Sequence, residues 1–281
     1  MLFDLSLTGE LLINASSITD HEFALFQRLI HEHAGIALGH EKKIMVASRL
    51  ARRLHFYGFA SYMQYYRFIQ APDHAQEFQV MVDMLTTNET YFFREPKHFE
   101  FLRNTVLKAW RGDAFKIWSA ASSSGEEVYS LAIVLAETLG ERKWEVIGSD
   151  ISTRMLETAR HAVYPMDRLE FMDDKLLEKY CLRGVRSQQG YFCVGDKLKR
   201  RTRFEQINLT KPLPSSWARQ FEVVFLRNVL IYFDLDVKKA VVDNICETLK
   251  PGGYLFISHS ENLHHISTQL SMVKPSIYIK G

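Results

Sequence analysis

The sequence predicts an α/β fold in which an all-helical N-terminal domain precedes a doubly wound domain with a parallel sheet. Apolar residues recur at intervals of three and four through the first eighty-odd residues, a pattern typical of several short helices. After Phe115, short apolar runs of strand type alternate with helical stretches, which indicates a parallel sheet covered on both faces. With 281 residues, 47% of them hydrophobic, the chain is long enough to bury a substantial core.

The helical domain is expected over residues 1–84. Its first helix begins near residue 20, because Ser17 or Thr19 together with Glu22 offers an N-terminal cap. Further apolar periodicity continues to "QVMVDML", which ends at Leu85.

The α/β domain is expected over residues 85–281. Its strands are read from "FKIWSAA", "WEVIGSD", "FEVVFLRN" and "GYLFISHS", and its helices include "EEVYSLAIVLAETLG" and "DVKKAVVDNICETLK". At about residues 180–206, Gly184, Gly190 and Gly195 lie among strand-favouring residues and predict a small antiparallel insertion. An irregular loop is the alternative for this insertion.

Composition excludes several classes of protein. The formal charge of +2 is too small for a general nucleic-acid binder. Cys181, Cys193 and Cys246 lack CxxC spacing, which argues against a disulfide framework and fits a reducing cytoplasm. The N-terminal residues do not resemble a signal peptide, and no window approaches 18 uninterrupted apolar residues, so membrane insertion is not expected. We also expect a monomer.

The ligand crevice of an open parallel sheet lies at the carboxyl ends of its strands. There the small-residue loop "SAASSSG" leads into a helix and allows close approach of a ligand to the backbone. No GxGxxG, GKS or GKT is present, and the pair Glu126 and Glu127 repels phosphate but suits an ammonium group. Asp150 ends the second strand, where a ribose diol is commonly bound, although a lone Asp there is more often a helix cap.

Two further polar positions follow probable strands. Asn208 and the pair Arg227-Asn228 are placed to read an adenine edge, because an amide side chain offers both donors and acceptors. Each Asn taken alone is also an ordinary turn or cap residue. A ligand with a ribose, an adenine and a cationic amino-acid part accounts for the whole set, and S-adenosylmethionine is such a ligand.

Several strings, in order along the chain, resemble the successive motifs of the CheR-type chemotaxis receptor glutamate methyltransferases. They are "LTTNETYFFRE", "WSAASSSGEEVYSLA", "GSDIS", "INL", "FLRNVLIYF", "LKPGGYLFISHSENL" and "IYIK". The resemblance runs from about Ile18 to Ile279 and implies a helical domain, a class I (Rossmann-like) methyltransferase domain and an inserted antiparallel β subdomain. That organisation agrees with the one read from the residues alone.

The resemblance also implies roles for individual residues. The segment 86–95 would fold over the methionine end of the cofactor, and Asp150 would bind the ribose. Phe92 and Phe93 are more simply core residues, whereas Tyr232 would lie near the transferred methyl group. The expected cofactor-binding set is Asn88, Thr90, Arg94, Glu126, Glu127, Asp150, Asn208, Leu209, Arg227 and Asn228, with Glu127 favoured over Glu126 and with Arg94 and Tyr232 as the catalytic pair.

The acceptor implied by the resemblance is a glutamate side chain on the cytoplasmic helical bundle of a receptor, and the product is S-adenosylhomocysteine. A free glutamate has a pKa near ~4.3, so it is already an anionic nucleophile at neutral pH and needs no general base. We expect Arg94 to position this carboxylate without a tight bidentate pair, which would blunt the nucleophile.

A basic run in "HEKKIMVASRLARRLHF" is the expected docking surface for the acidic receptor bundle. Lys42, Arg49 and Arg53 recur on one helical face, with Arg52 beside them. The apolar face of this helix is expected to consist of Ile44, Ala47, Ala51 and Leu54. An ordinary solvated charged face is the alternative.

The chain departs from the family pattern in two places. Val128 stands where proline is expected, and "RGVRSQQG" lacks a glycine expected near Val185 in relatives that bind a receptor's C-terminal pentapeptide, so the sequence does not predict that tether. His259, His264 and His265 lack convincing metal-ligand spacing, and we expect no metal. Two rival functions are a methyltransferase acting on a small molecule or RNA and a cofactor-binding scaffold without catalysis.

Overall fold

The computed structural model describes residues 17–281 except 265 and 268. The chain divides after Thr87 into two compact units. The expected boundary at residue 84 lies slightly too early, because the last helix of the first unit continues to Leu85.

The first unit is helical. Its helices are α1 (Asp20–Ala34), α2 (Lys43–Tyr57), α3 (Tyr62–Ile69) and α4 (Ala75–Leu85). Thr19 caps α1 through a capping box with Glu22, which settles the choice between Ser17 and Thr19. The inward faces of these helices meet in a core that includes Phe23, Phe26 and Tyr65.

The second unit contains a seven-stranded sheet in the order β6-β2-β1-β7-β8-β10-β9. Its strands are β1 (Ala114–Ser119), β2 (Lys143–Asp150), β6 (Thr202–Gln206), β7 (Phe221–Phe225), β8 (Leu249–Phe256), β9 (Leu270–Lys274) and β10 (Ile277–Lys280). The strands from β6 to β8 are parallel. Strand β10 is antiparallel to both of its neighbours, β8 and β9, so β9 has the same direction as the parallel strands. The order changes direction between β1 and β7, which creates the crevice expected of a doubly wound sheet.

Helices pack on this sheet. They are α5 (Pro96–Phe101), continued by a π-helical segment over Leu102–Leu107, then α6 (Glu126–Leu139), α7 (Thr153–His161) and α10 (Leu235–Thr248). Gly148 lets α6 pack closely on β2, because a Cβ there would lie 2.7 Å from a methyl carbon of Val128. Among the described residues, no helix is long and apolar enough to cross a membrane.

A second sheet of three antiparallel strands interrupts the alternation, as the glycine pattern predicted. Its strands are β3 (Val163–Pro165), β4 (Cys181–Arg183) and β5 (Tyr191–Val194), and the short helices α8 (Asp174–Tyr180) and α9 (Asp196–Lys199) lie in the same region of the sequence. The insertion differs from the expected range 180–206. It recruits β3 from before that range, whereas β6 pairs with β2 in the large sheet.

Candidate functional site

Most of the expected cofactor residues lie at or after the carboxyl ends of β1, β2, β6 and β7. The serine loop after β1 is held against β2, since the backbone N–H of Ser122 donates to the Ser149 carbonyl at 2.8 Å. Gly125 closes this loop with φ +96°, and a Cβ there would lie 2.7 Å from the Cβ of Ala159, so glycine is required on both counts.

Asp150 holds the serine loop in place through both carboxylate oxygens. Its Oδ2 accepts the backbone N–H of Ser123 at 2.8 Å, and its Oδ1 accepts that of Ser152 at 2.9 Å. These two bonds show a loop-fixing role for Asp150, and ribose binding by the same carboxylate stays a prediction.

The adjacent acids Glu126 and Glu127 have different surroundings. Glu126 is buried, and its carboxylate accepts the hydroxyl of Ser124 at 2.7 Å. Glu127 is only partly buried and accepts the hydroxyl of Ser119, at the end of β1, at 2.7 Å. Burial raises the pKa of both carboxyls, and Arg227 opposes this effect at Glu127. Of these two acids, Glu127 is the one with exposed surface, and its role in cofactor binding stays a prediction.

Arg227, the residue that follows Leu226 after β7, lies between two carboxylates. Its Nη1 is 3.3 Å from Glu127 Oε2, and its Nη2 is 3.4 Å from Glu95 Oε2. The same Nη2 donates to the carbonyl of Arg94 at 2.5 Å. Two carboxylates facing one guanidinium leave a formal charge of −1, which is complementary to an ammonium group. Glu95 was not among the expected site residues, although it ends the string "YFFRE".

The segment 88–95 is tied to the crevice by backbone contacts. The Ser123 hydroxyl donates to the Asn88 carbonyl at 2.9 Å, and the Phe93 N–H donates to Ser130 Oγ at 2.9 Å. Phe92 and Phe93 are buried in the core, as favoured. Phe93 and Glu95 both have positive φ, so the backbone here is held in a conformation that these residues rarely adopt.

Arg168 is a second site residue that the sequence did not reveal. It lies in a 3₁₀ turn just after β3, in the inserted region, where its guanidinium donates to the Thr90 carbonyl. Its own carbonyl accepts the N–H of Phe92 at 3.2 Å. The inserted region therefore holds the expected cofactor segment by two bonds from one residue. No motif in the sequence marks this arginine, because the contact joins positions 78 residues apart.

Arg94 and Tyr232 keep accessible side chains. Arg94 donates to the Glu89 carbonyl at 2.9 Å, and its guanidinium carbon lies 5.6 Å from the centre of the Tyr91 ring. Tyr232 ends the 3₁₀ turn Leu230–Tyr232 and is half-buried. Their catalytic roles stay predictions.

The two asparagines differ in their local roles. Asn208 Oδ1 accepts both the N–H of Thr210, at 3.1 Å, and its hydroxyl, at 2.8 Å, as in the turn interpretation. Asn228 has φ +57° and begins the turn that carries Tyr232. Leu209 is buried beside Asn208.

Of the three histidines considered as metal ligands, His259 has a side-chain contact, with its Nδ1 3.1 Å from Ser276 Oγ, and His265 lies outside the described residues. A fourth histidine, the buried His98, pairs with the same oxygen at 2.8 Å. Burial and the nearby Arg227 lower the pKa of His98 to about 3. Possible ligand atoms of Glu95, His98 and His259 lie within 4.8 Å of one another. However, Arg227 next to the Glu95 carboxylate repels a cation.

The basic helix α2 differs from expectation. Arg53 donates to both oxygens of Glu77, at 2.7 and 2.5 Å, and Arg49 donates to the carbonyls of Met84 and Thr86 at 3.0 Å. These two guanidiniums therefore hold α2 to α4 and its C-terminal end. Of the expected docking residues, Lys42 and Arg52 are exposed.

The expected apolar face of α2 is also wrong in part. Ile44 is 82% exposed, whereas Val46, Leu50 and Leu54 form the buried face. Val46, Leu50 and Leu54 are four residues apart, which matches the helical period as well as the expected set does. Periodicity alone therefore did not distinguish the two faces, and packing against the other helices determines which one is buried.

The doubly wound sheet, the serine loop and the acidic crevice define the class of Rossmann-like S-adenosylmethionine-dependent methyltransferases. Residues 88–279 match the family described as "CheR methyltransferase, SAM binding domain", and residues 21–86 match "CheR methyltransferase, all-alpha domain". The chain belongs to the CheR methyltransferase family.

Curated relatives agree along nearly the whole chain. The chemotaxis protein methyltransferase of Escherichia coli (strain K12) is 36% identical over 269 residues, covering 93% of this chain and 91% of the relative. Chemotaxis protein methyltransferase 2 of Pseudomonas aeruginosa is 37% identical over 265 residues, covering 92% of this chain and 93% of the relative.

Proposed function

We propose that this protein transfers the methyl group of S-adenosylmethionine to glutamate side-chain carboxylates of chemotaxis receptors in the cytoplasm, forming glutamate 5-O-methyl esters. The observation that carries the proposal is the group formed by the buried Arg227 and the partly buried Glu95 and Glu127, whose net negative charge suits the ammonium end of an amino-acid cofactor. Family membership supports the choice of methyl donor, and the curated relatives' names support the choice of a chemotaxis substrate.

The residues fit the cofactor in a consistent arrangement. Glu127 would accept the ammonium group, Asp150 the ribose hydroxyls, and the Asn208 and Asn228 regions would line the adenine side. When bound, S-adenosylmethionine would supply a methyl group attached to a sulfonium, and the neutral thioether that remains after transfer is a good leaving group. The segment holding Asn88, Thr90 and Arg94 is held by bonds to Ser123, Ser130 and Arg168, so the chain itself orients this end of the crevice.

The chemistry requires no proton transfer by the protein. An ionised glutamate of the receptor would already be the nucleophile that accepts the methyl group. Because the charges of the carboxylate and the sulfonium would cancel on transfer, a partly desolvated site would favour the reaction. Arg94, which already donates to the Glu89 carbonyl, would position the acceptor without a full bidentate pair, and Tyr232 would lie near the transferred methyl group.

The test is transfer of radiolabelled methyl from S-adenosylmethionine to receptor-containing membranes of the same organism. We expect label on a receptor band that is released as methanol in mild base, since carboxyl methyl esters are base-labile. Base-stable label, or label on RNA or a small molecule, would show another acceptor. Tight cofactor binding with no labelled product would indicate a scaffold.

We also propose that the exposed face of α2 docks the receptor bundle. Ile44, Arg52 and Phe56 recur at four- or eight-residue intervals and are exposed, which gives this face both apolar surface and positive charge. Charge reversal by Arg52→Glu should lower receptor methylation and leave cofactor affinity intact. Arg28→Glu, an equal charge change at an exposed position of α1, is the control, and equal loss in both variants would contradict specific docking.

A further inference from the structure

Glu261 is a buried carboxylate that the proposed reaction does not use. It lies beyond β8, and three backbone N–H groups donate to it: Ser258 at 2.8 Å, Asn228 at 3.2 Å and Ile231 at 3.4 Å. Burial raises the pKa of this carboxyl, and the backbone amides oppose that shift because they favour the ionised form. Two of these amides belong to a different loop, the one that follows β7.

That loop needs an acceptor from outside itself. Asn228 is held at φ +57°, and Val229, which precedes the 3₁₀ turn Leu230–Tyr232, provides no side-chain cap. The first N–H groups of such a turn have no acceptor within it, so they must bond to another group or to water. The Glu261 carboxylate bonds to the Asn228 and Ile231 amides on either side of Val229 and Leu230.

The two ends of the loop are held by different groups. Arg227 is fixed through its own side chain by Glu127, Glu95 and the Arg94 carbonyl. The bonds from Glu261 fall after Arg227 and reach up to the residue before Tyr232. Loss of the Glu261 carboxylate would therefore disturb the Tyr232 end of the loop more than the Arg227 end.

We propose that Glu261 is a positioning residue for methyl transfer, whose ionised carboxylate fixes the turn that presents Tyr232 to the acceptor. The inference rests on the proposed function, in which Tyr232 lies beside the transferred methyl group. Glu261 itself is not a base in this scheme, because both its oxygens accept backbone N–H groups and the acceptor is already ionised.

The test compares Glu261→Gln with Glu222→Gln. Glutamine keeps the shape but replaces one acceptor oxygen by an NH₂ group, which faces an N–H donor. Glu222 is a matched control, because its carboxylate also accepts a backbone N–H, that of Lys116 at 2.7 Å. It lies near the start of β7, at the opposite end of the strand from the loop, and pairs with Lys250 of β8. Thermal unfolding of both variants sets a common assay temperature at which each is folded.

We expect Glu261→Gln to lower kcat by about 10- to 100-fold, the range typical of a small misplacement in an active site. Affinity for S-adenosylhomocysteine, measured by calorimetry, should fall by a smaller factor than kcat, because Arg227 keeps its own partners and only the Asn228 amide of the proposed cofactor site loses its acceptor. Glu222→Gln should leave both quantities unchanged. An unchanged kcat in Glu261→Gln, or an equal fall in both variants, would overturn the positioning role.

Hydrogen exchange separates this inference from the proposed function. In Glu261→Gln the amides of residues 228–231 should exchange faster, while those beside Glu222 should not, whatever substrate the enzyme methylates. Unchanged exchange in residues 228–231 would overturn the inference even if receptor methylation is confirmed. Faster exchange there, in a protein that does not methylate receptors, would refute only the proposed substrate.

Discussion

Replacing Glu127 by glutamine separates the binding role of this carboxylate from its structural role. In the bare protein, Glu127 and Glu95 face the single guanidinium of Arg227 at 3.3 and 3.4 Å. Glu127→Gln turns this net negative group into a neutral pair of Glu95 and Arg227. The cofactor's ammonium group would then lose its anionic partner, while Arg227 would keep the Glu95 carboxylate and the Arg94 carbonyl.

The magnitude follows from these contacts. A hydrogen bond to a charged group contributes about 1.5–3 kcal/mol, which corresponds to a loss of cofactor affinity of about 10- to 150-fold. The Coulomb energy of the Glu127–Arg227 pair is roughly 5 kcal/mol at an effective dielectric constant of ~20, but desolvation of two charges offsets much of it. We therefore expect the free energy of unfolding of the bare variant to stay within about 1 kcal/mol of wild type, or to rise.

Calorimetric titration with S-adenosylhomocysteine and chemical denaturation of the bare protein measure the two quantities. Glu126→Gln is the matched control, because Glu126 is buried and bonded to Ser124, so its affinity should remain close to that of wild type. Unchanged affinity in Glu127→Gln, together with a marked loss of stability, would refute the reasoning and make Glu127 a structural partner of Arg227 only.

Three further predictions concern the helical unit, the inserted region and pH. Arg53→Glu should lower the free energy of unfolding of the helical unit by about 3–5 kcal/mol, measured by denaturation, because the buried Glu77 carboxylate would lose its cation and face a second carboxylate. Arg52→Glu, at an exposed position, should not lower it. Arg168→Ala should weaken cofactor binding by about 1–2 kcal/mol through loss of its bond to Thr90, and equal weakening by Arg183→Ala, on β4, would contradict this. Since burial raises the pKa of Glu127, cofactor affinity should fall as pH drops through a value above the ordinary 4.5. The free energy of unfolding of the cofactor-free protein should instead fall as pH rises from 4.5 through the higher pKa of Glu127 in the folded protein, because the folded form holds this proton more tightly than the unfolded chain. Glu127→Gln should flatten both pH profiles.

Periodicity and strand-type runs predicted the main elements because they depend on local residue order. The parallel strands read from "FKIWSAA", "WEVIGSD" and "FEVVFLRN" are present as β1, β2 and β7, with α6 between the first two. The strands β9 and β10 were not read from their apolar pattern, since β9 is mostly exposed and alternates weakly. The edge strand β3 of the small sheet was also missed, because strand pairing over long separations leaves no local signal.

By itself, the sequence determined the two-unit organisation, the crevice at the strand ends and the family resemblance, since these depend on periodicity and on short motifs. Only the tertiary structure decided which charges are used internally. Arg49 and Arg53 look like surface cations in the helical pattern, yet both bond to groups that lie near α2 only after folding. Likewise, Arg168 bonds to a residue 78 positions away in the sequence, and Glu261 to one 30 positions away. The reason is physical: a buried polar group must find its partner in space, and sequence spacing does not record that distance.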